Sequence, residues 1–307
     1  MTSVLFDAPG PRAKRRSRIA SVIVIVLILA GVGWIVYTLA QPRESGGITL
    51  PGYFDWSRWE KPVTDPEFWG AVGRGLLNTL QAAGIGAVMA LVVGVLFALL
   101  RTSQSAFVRV PTTIVLEFLR GMPVLLMMLF ILLVASTGAF WAVVLALGLY
   151  NGAIIGEALR AGINSLPRGQ REAGLSLGMT RLQTKMLIEF PQAFRQMLPI
   201  ILAQLVVLLK DTSLGYIVGF NELIRTTMNN LSSFYGNRYL ITLFIITLVI
   251  YLTVNLTLSW VARRIARRRG GRAPLVVADG LATGSAVLVG STTLTGAAAN
   301  PEDATTE

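Results

Sequence analysis

Four consecutive polar residues, Lys210-Asp211-Thr212-Ser213, stand inside an apolar run that reaches from Arg195 and Pro199 to about Gly219. Polar groups within a membrane-spanning stretch are costly, and by default they mark a path for a solute or ion. Lys210 offers a donor charge and Asp211 a carboxylate to neutralise it. The two hydroxyls can exchange hydrogen bonds with a polar solute in transit. The competing role is an internal network that only fixes helix packing. A second set, Glu117 and Arg120, lies three residues apart in another apolar run, so the two can pair on one helix face. With a helix start at Pro111, Arg120 falls ~15 Å along, near mid-bilayer. A structural ion pair, or a later start that keeps both charges at the interface, is the alternative there. Asn151 is a third polar position within an apolar run. The pathway candidates are therefore Glu117, Arg120, Asn151, Lys210, Asp211, Thr212 and Ser213.

Other chemistry is scarce. The 307 residues include no cysteine and no histidine, which removes thiolate nucleophiles, imidazole bases, disulfides and the usual zinc sets. Metalloproteases of the H-E-x-x-H type go with them. There is no G-x-x-x-x-G-K-S/T phosphate loop, so ATP-driven action must borrow its ATPase. No catalytic residue and no metal site are expected.

The elements that position these residues are membrane spans. Hydrophobic residues make up 53% of the chain and charged ones 14%, with a mean hydropathy of +0.64. The net charge of +11 is gathered at the ends of the apolar runs. That is the positive-inside pattern rather than a nucleic-acid surface. A basic arm, residues 1–18, precedes a first span, Ile19–Ala40. Gln41-Pro42-Arg43 offers no small-x-small cleavage site, so the span reads as a retained helix. Residues 41–71 mix acids with six aromatic residues and read as an external interfacial segment. Further spans cover 73–100, Pro111–Val134, Phe140 to about Gly156, about 195–219, and Tyr239–Val261. Gly84, Gly86 and Gly94 in the second suit close helix approach. Residues 220–238 are polar and read as external. After the basic stretch that begins at Arg263, the chain turns to Gly, Ala, Thr and Ser, the composition of a disordered tail. The reading is an all-α membrane protein of six spans with both termini in the cytoplasm.

One internal stretch, Glu157–Pro191, is polar and rich in arginine. Ser165 suits the cap of a short helix that Pro167 enters and Gly178 stops. Thr180 and Gln183 have capping-box spacing for a second, which Pro191 would end. Each is ~15 Å long, too short to span, and Arg168, Arg171 and Glu172 could not be buried cheaply in lipid. The stretch therefore predicts a rigid elbow on the membrane surface, shaped for a partner to grip.

The elbow resembles the cytoplasmic loop of permease subunits of bacterial ABC importers. That family's pattern is E-A-A, three residues, G, nine residues, I-x-L-P. This chain carries Glu172-Ala173-Gly174, Gly178 and Ile188-Glu189-Phe190-Pro191, with Gly174 and Phe190 as departures. Asn78-Thr79-Leu80, Phe118–Pro123 (FLRGMP), Gly156-Glu157-Ala158 through Arg160-Ala161-Gly162, Leu166–Ala173 (LPRGQREA) and Leu208–Gly215 (LLKDTSLG) are similar to the polar amino acid branch. The run YNGAIIGEALRAGINSLP resembles permeases of actinobacterial glutamate importers. The resemblance covers about residues 72–262. It implies a type I ABC importer transmembrane domain with five core helices plus an extra N-terminal one. It also implies ATPase coupling through the elbow at 165–191, at Gln170, Glu172, Ala173, Gly174 and Gly178. The partners implied are a cytoplasmic ABC ATPase dimer, a second permease chain (homologous or a copy of this one), an external solute-binding protein and membrane lipid. ATP and Mg would sit on the ATPase, with no cofactor in this chain. The cargo implied is a polar amino acid, glutamate first. An ion-coupled secondary amino acid carrier working through Lys210 and Asp211 is the alternative.

Overall fold

A computed structural model describes residues 10–45 and 48–269. The tail expected to be disordered after Gly270 lies outside the described residues, as do residues 1–9 of the basic arm. Helices α1 (Pro11–Ala40), α2 (Glu60–Thr64), α3 (Pro66–Arg101), α4 (Ala106–Gly121), α5 (Val124–Ala135) and α6 (Ala139–Asn164) come first. They are followed by α7 (Arg168–Ser176), α8 (Arg181–Thr184), α9 (Phe190–Asp211), α10 (Leu223–Arg225), α11 (Ser232–Tyr235) and α12 (Leu240–Arg269). Five helical stretches are long and apolar enough to cross a bilayer, or six if the bent pair α4–α5 counts as one. A short antiparallel hairpin, β1 (Arg43–Ser45) and β2 (Ile48–Leu50), follows α1.

The bundle is built on the seam between α3 and α6. Asp65 caps α3 by accepting from the Glu67 N–H at 2.9 Å, with Pro66 in the first turn where its missing N–H is harmless. Along the seam small residues face each other. A Cβ on Gly94 would lie 2.7 Å from Ile155 Cγ2, and one on Gly152 2.7 Å from Val93 Cγ1. Glycine is required at both, and it lets the two backbones approach closely. Gly84, by contrast, faces open space. Around this seam α5 and α9 pack Met127, Met128, Ile201 and Leu208 into the main core. A second core joins the start of α3 to α12 and the 223–235 segment through Phe68, Leu223, Leu231, Tyr239 and Leu243. No residue of α1 is buried against the rest of the described chain.

Several boundaries differ from the sequence reading. The run Pro111–Val134 is not one straight span: α4 starts earlier, at Ala106, and meets α5 at an angle of 106°. Pro123 has no N–H and forces Met122 into an extended conformation (φ −86, ψ 131), which breaks the helix. The expected fourth span runs on to Asn164, so Glu157 and Arg160 lie inside α6 rather than past its end. Ser165 does not cap α7. Its hydroxyl donates back to the Gly162 carbonyl at 2.8 Å and closes α6 instead. Pro191 does not end the second elbow helix either. A π turn at Lys185–Glu189 widens the chain first, with the Phe190 N–H bonded five residues back to Lys185 O. Pro191 then enters the first turn of α9 without a break, and Pro199 sits inside α9. Residues 223–235, read as a polar external segment, form a helical stretch packed on α3.

Segment 41–71 is fastened to the bundle. Arg58, only 5% exposed, donates from Nε to Pro51 O at 2.8 Å and reaches the Arg238 carbonyl. Thr242 at the start of α12 donates to Arg58 O at 3.0 Å, and the Tyr235 hydroxyl donates to Asp65.

Candidate functional site

The elbow is α7, α8 and the π turn between α6 and α9. Gly178 ends α7 at φ +79, a conformation open to glycine. The Met179 N–H reaches Gly174 O at 3.2 Å and the Gly178 N–H reaches Leu175 O at 3.0 Å. Together these form a Schellman motif that satisfies the last carbonyls. Thr180 and Gln183 form the expected capping box: the Thr180 N–H donates to Gln183 Oε1 at 2.8 Å, and the Gln183 N–H to Thr180 Oγ1 at 3.3 Å. Rigidity is therefore local chemistry, set where α7 meets α8.

The coupling candidates divide by exposure. Gly174 is buried, and a Cβ there would lie 2.8 Å from Thr184 Cγ2 and 2.9 Å from Ile188 Cδ1. The departure from alanine at this position therefore seats α7 closely on the π turn. Arg171 Nε binds the nearly buried Glu189 at 3.0 Å and holds the same joint. Gln170 Oε1 accepts from Gln192 at 3.3 Å. Glu172, Ala173 and Gly178 point outward. Glu172 has no ion-pair partner among the described residues. It is an exposed acid on a fixed rod.

The pathway candidates fall into separate groups. Glu117 and Arg120 do pair, at 3.6 Å. Glu117 also receives Arg101 at 3.2 Å, and Arg101 binds Glu157, which holds Arg160 at 2.6 Å. Arg101 is the last residue of α3, so this network of five charges sits at the end of the bundle that carries the elbow. Arg120 is thus near that end rather than midway along a continuous span. Arg101 was legible only as a span end, and Glu157 and Arg160 as a span end and part of the family resemblance; nothing in their spacing joins them to residues 117–120. Asn151 is fully buried, donating to Leu147 O at 2.8 Å and accepting from Gln204 at 2.8 Å. Gln204, on α9, was missed, because a single amide in a long apolar run has no partner visible in sequence.

The 210–213 set does not form a single cluster. It lies where α9 tightens into a 3-10 turn, Thr212–Tyr216, about 30 Å along α9 from the elbow. Lys210 is exposed and makes no ion pair with Asp211 among the described residues. Ser213 donates to Lys210 O at 2.8 Å, and Thr212 to Leu209 O at 2.7 Å with Tyr251 Oη 3.2 Å away. The hydroxyls thus satisfy the end of α9, and the two charges remain uncommitted. Nearby, Glu222 is fully buried and caps α10, accepting from the Ile224 and Arg225 N–H groups at 2.8 and 2.7 Å. Asn78 and Thr79 hold this segment on α3, through Asn221 O at 2.9 Å and the Leu223 N–H at 3.0 Å. Among the described residues no cluster of carboxylates could hold a metal ion.

An all-α, multi-pass bundle with an outward rod between two spans has the architecture of a type I importer permease. Residues 90–271 match the model of the binding-protein-dependent transport system inner membrane component family, and the chain belongs to it. It is 37% identical over 231 residues to a glutamate transport system permease protein, GluD, of Corynebacterium glutamicum, covering 72% of this chain and 84% of that one. It is 31% identical to a glutamine transport system permease protein, GlnP, of Escherichia coli K12, covering 70% and 97%. Among solved structures, an amino acid ABC transporter with histidines matches with a TM-score of 0.58 at 29% identity, over 66% of this chain and 95% of the other. The MetNI methionine transporter matches in fold, with a TM-score of 0.56 at 19% identity, over 68% and 100%.

Proposed function

We propose that this chain is one permease subunit of an ATP-dependent, binding-protein-dependent importer that moves a polar amino acid, with glutamate as the leading cargo. The observation that carries this reading is the elbow: two short helices capped where they meet, seated by Gly174, with Glu172 exposed and without an ion-pair partner among the described residues. A rigid rod between spans is suited to pass the closure of a gripping ATPase into the bundle as rigid-body motion. The names of the relatives, glutamate and glutamine permeases, support the cargo class. In this reading the elbow and both arginine-rich ends face the cytoplasm, as charge asymmetry requires. ATP and Mg belong to a cytoplasmic ATPase dimer. A second permease chain completes the pathway, and an external binding protein delivers the amino acid. Residues 41–71 lie on that outer side.

The test is uptake in proteoliposomes holding the whole assembly. Transport of labelled glutamate should require ATP inside and the binding protein outside. Glu172→Lys, which reverses the exposed charge, should cut ATPase retention and uptake together, by about tenfold if one charge-assisted contact is lost. Uptake by this chain alone, driven by an ion gradient, would show a secondary carrier instead.

A further inference from the structure

The elbow is joined by the backbone to α6 and α9 but not to α3 and α4. A cavity of about 390 Å³ separates it from the turn 102–105 that links those two helices, lined by residues including Leu99, Ser103, Leu175 and Leu182. Two hydrogen bonds cross this gap among the described residues. Lys185 Nζ donates to Thr102 O at 2.7 Å, and the Arg181 guanidinium donates to Gln104 Oε1. Thr102 is the C-cap of α3, so its carbonyl lies at the negative end of that helix's dipole, where an ammonium group is favoured. Neither cation has a carboxylate within ion-pair distance among the described residues. Their charge is directed at the turn.

The π turn is the hub of this arrangement. Its first residue, Lys185, reaches α3, while its last, Glu189, holds Arg171 of α7. Arg101, one residue before Thr102, passes the connection to Glu117 on α4 and Glu157 on α6. We infer that Lys185 and Arg181 are positioning residues that clamp the elbow to the α3–α4 turn. When the elbow is displaced, the α3–α4 turn is then drawn with it directly, in addition to following α6 through the α3–α6 seam. This inference rests on the elbow being the element that the ATPase drives.

The test uses the complete assembly with its ATPase and binding protein. Lys185→Met and Arg181→Met are combined, with Lys185→Arg as the conservative control. The readouts are ATPase retention, ATP hydrolysis and glutamate moved per ATP consumed. The double variant should keep the ATPase and hydrolyse ATP while moving several-fold less glutamate per ATP, as expected when an interaction pair is lost from a coupling path. Lys185→Arg should restore the ratio. The chain has no cysteine, so Gln104→Cys and Arg181→Cys in a Lys185→Met background can be bridged by a short bis-maleimide. Bridging should recover coupling without changing ATPase retention. An unchanged ratio in the double variant, or a bridge that leaves the ratio low, overturns the clamp. A wild-type assembly that transports without ATP sinks the importer reading itself, a result separable from both.

Discussion

Glu222→Gln should remove the share of the pH dependence of stability that Glu222 contributes between about 5 and 8. Glu222 has no exposed surface, and burial pushes its carboxyl up to about 7 from an ordinary value of 4.5, against the pull of the Ile224 and Arg225 N–H groups and the Arg225 charge. Between those values the folded chain keeps a proton that the unfolded chain has released. Stability therefore falls as pH rises through this window, and the full cost is present above about 7. A shift of this size corresponds to ~3 kcal/mol. Glu222→Gln keeps a carbonyl oxygen for the α10 cap but cannot ionise, so its stability should decline clearly less over this window than that of the wild type. At pH 8 the variant should be the more stable by up to ~3 kcal/mol, less whatever its amide hydrogens lose by burial. The assay is thermal unfolding in nanodiscs at pH 5, 6, 7 and 8. Asp65 and Asp55 do not interfere. Hydrogen bonds from the Tyr235 hydroxyl and from Ser57 hold these carboxyls below their usual range, so what they contribute is lost only as pH falls below about 4. A wild type with no decline, or the same decline in Glu222→Gln, refutes the reasoning.

Two further substitutions probe packing and capping. Gly178→Ala forces a Cβ into φ +79 and should cost the elbow about 1–2 kcal/mol, read as faster hydrogen exchange confined to residues near 174–180. Gln204→Leu leaves the buried Asn151 Oδ1 without its donor and should lower bundle stability by ~1–3 kcal/mol, while Asn151→Leu combined with Gln204→Leu should recover much of the loss. Thermal unfolding of these two variants and of Asn151→Leu alone closes that cycle, and strict additivity would count against the pair.

What the sequence could show depended on whether the cause was local. The stop at Gly178 and the capping box at Thr180 and Gln183 appeared as read, because both are short-range backbone chemistry. Span positions followed from hydropathy for the same reason. Ser165 and Pro191 misled because each had a second use: Ser165 closes the preceding helix, and the π turn lets Pro191 pass into α9. The break at Pro123 was signalled by a proline in an apolar run, but the run's length outweighed it. Long-range partners were out of reach. Arg101 meets Glu117 and Glu157 across 16 and 56 residues, and Arg58 meets the start of α12 across more than 180. Nothing in local pattern records such pairings. Glu222 looked like loop polarity until the 223–235 segment folded back over it.

The continuity of α8, the π turn and α9 has a mechanical consequence. This stretch has the proportions of a lever with unequal arms, ~6 Å on the elbow side of the π turn and ~33 Å on the other. Were the stretch to tilt as a rigid body about the π turn, a 1 Å push on the short arm would swing the far end by ~5 Å. That far end carries Lys210, Asp211 and Thr212. In such a tilt, a displacement at one surface small enough to leave the elbow's caps intact would become, at the other, a movement about the size of an amino acid side chain.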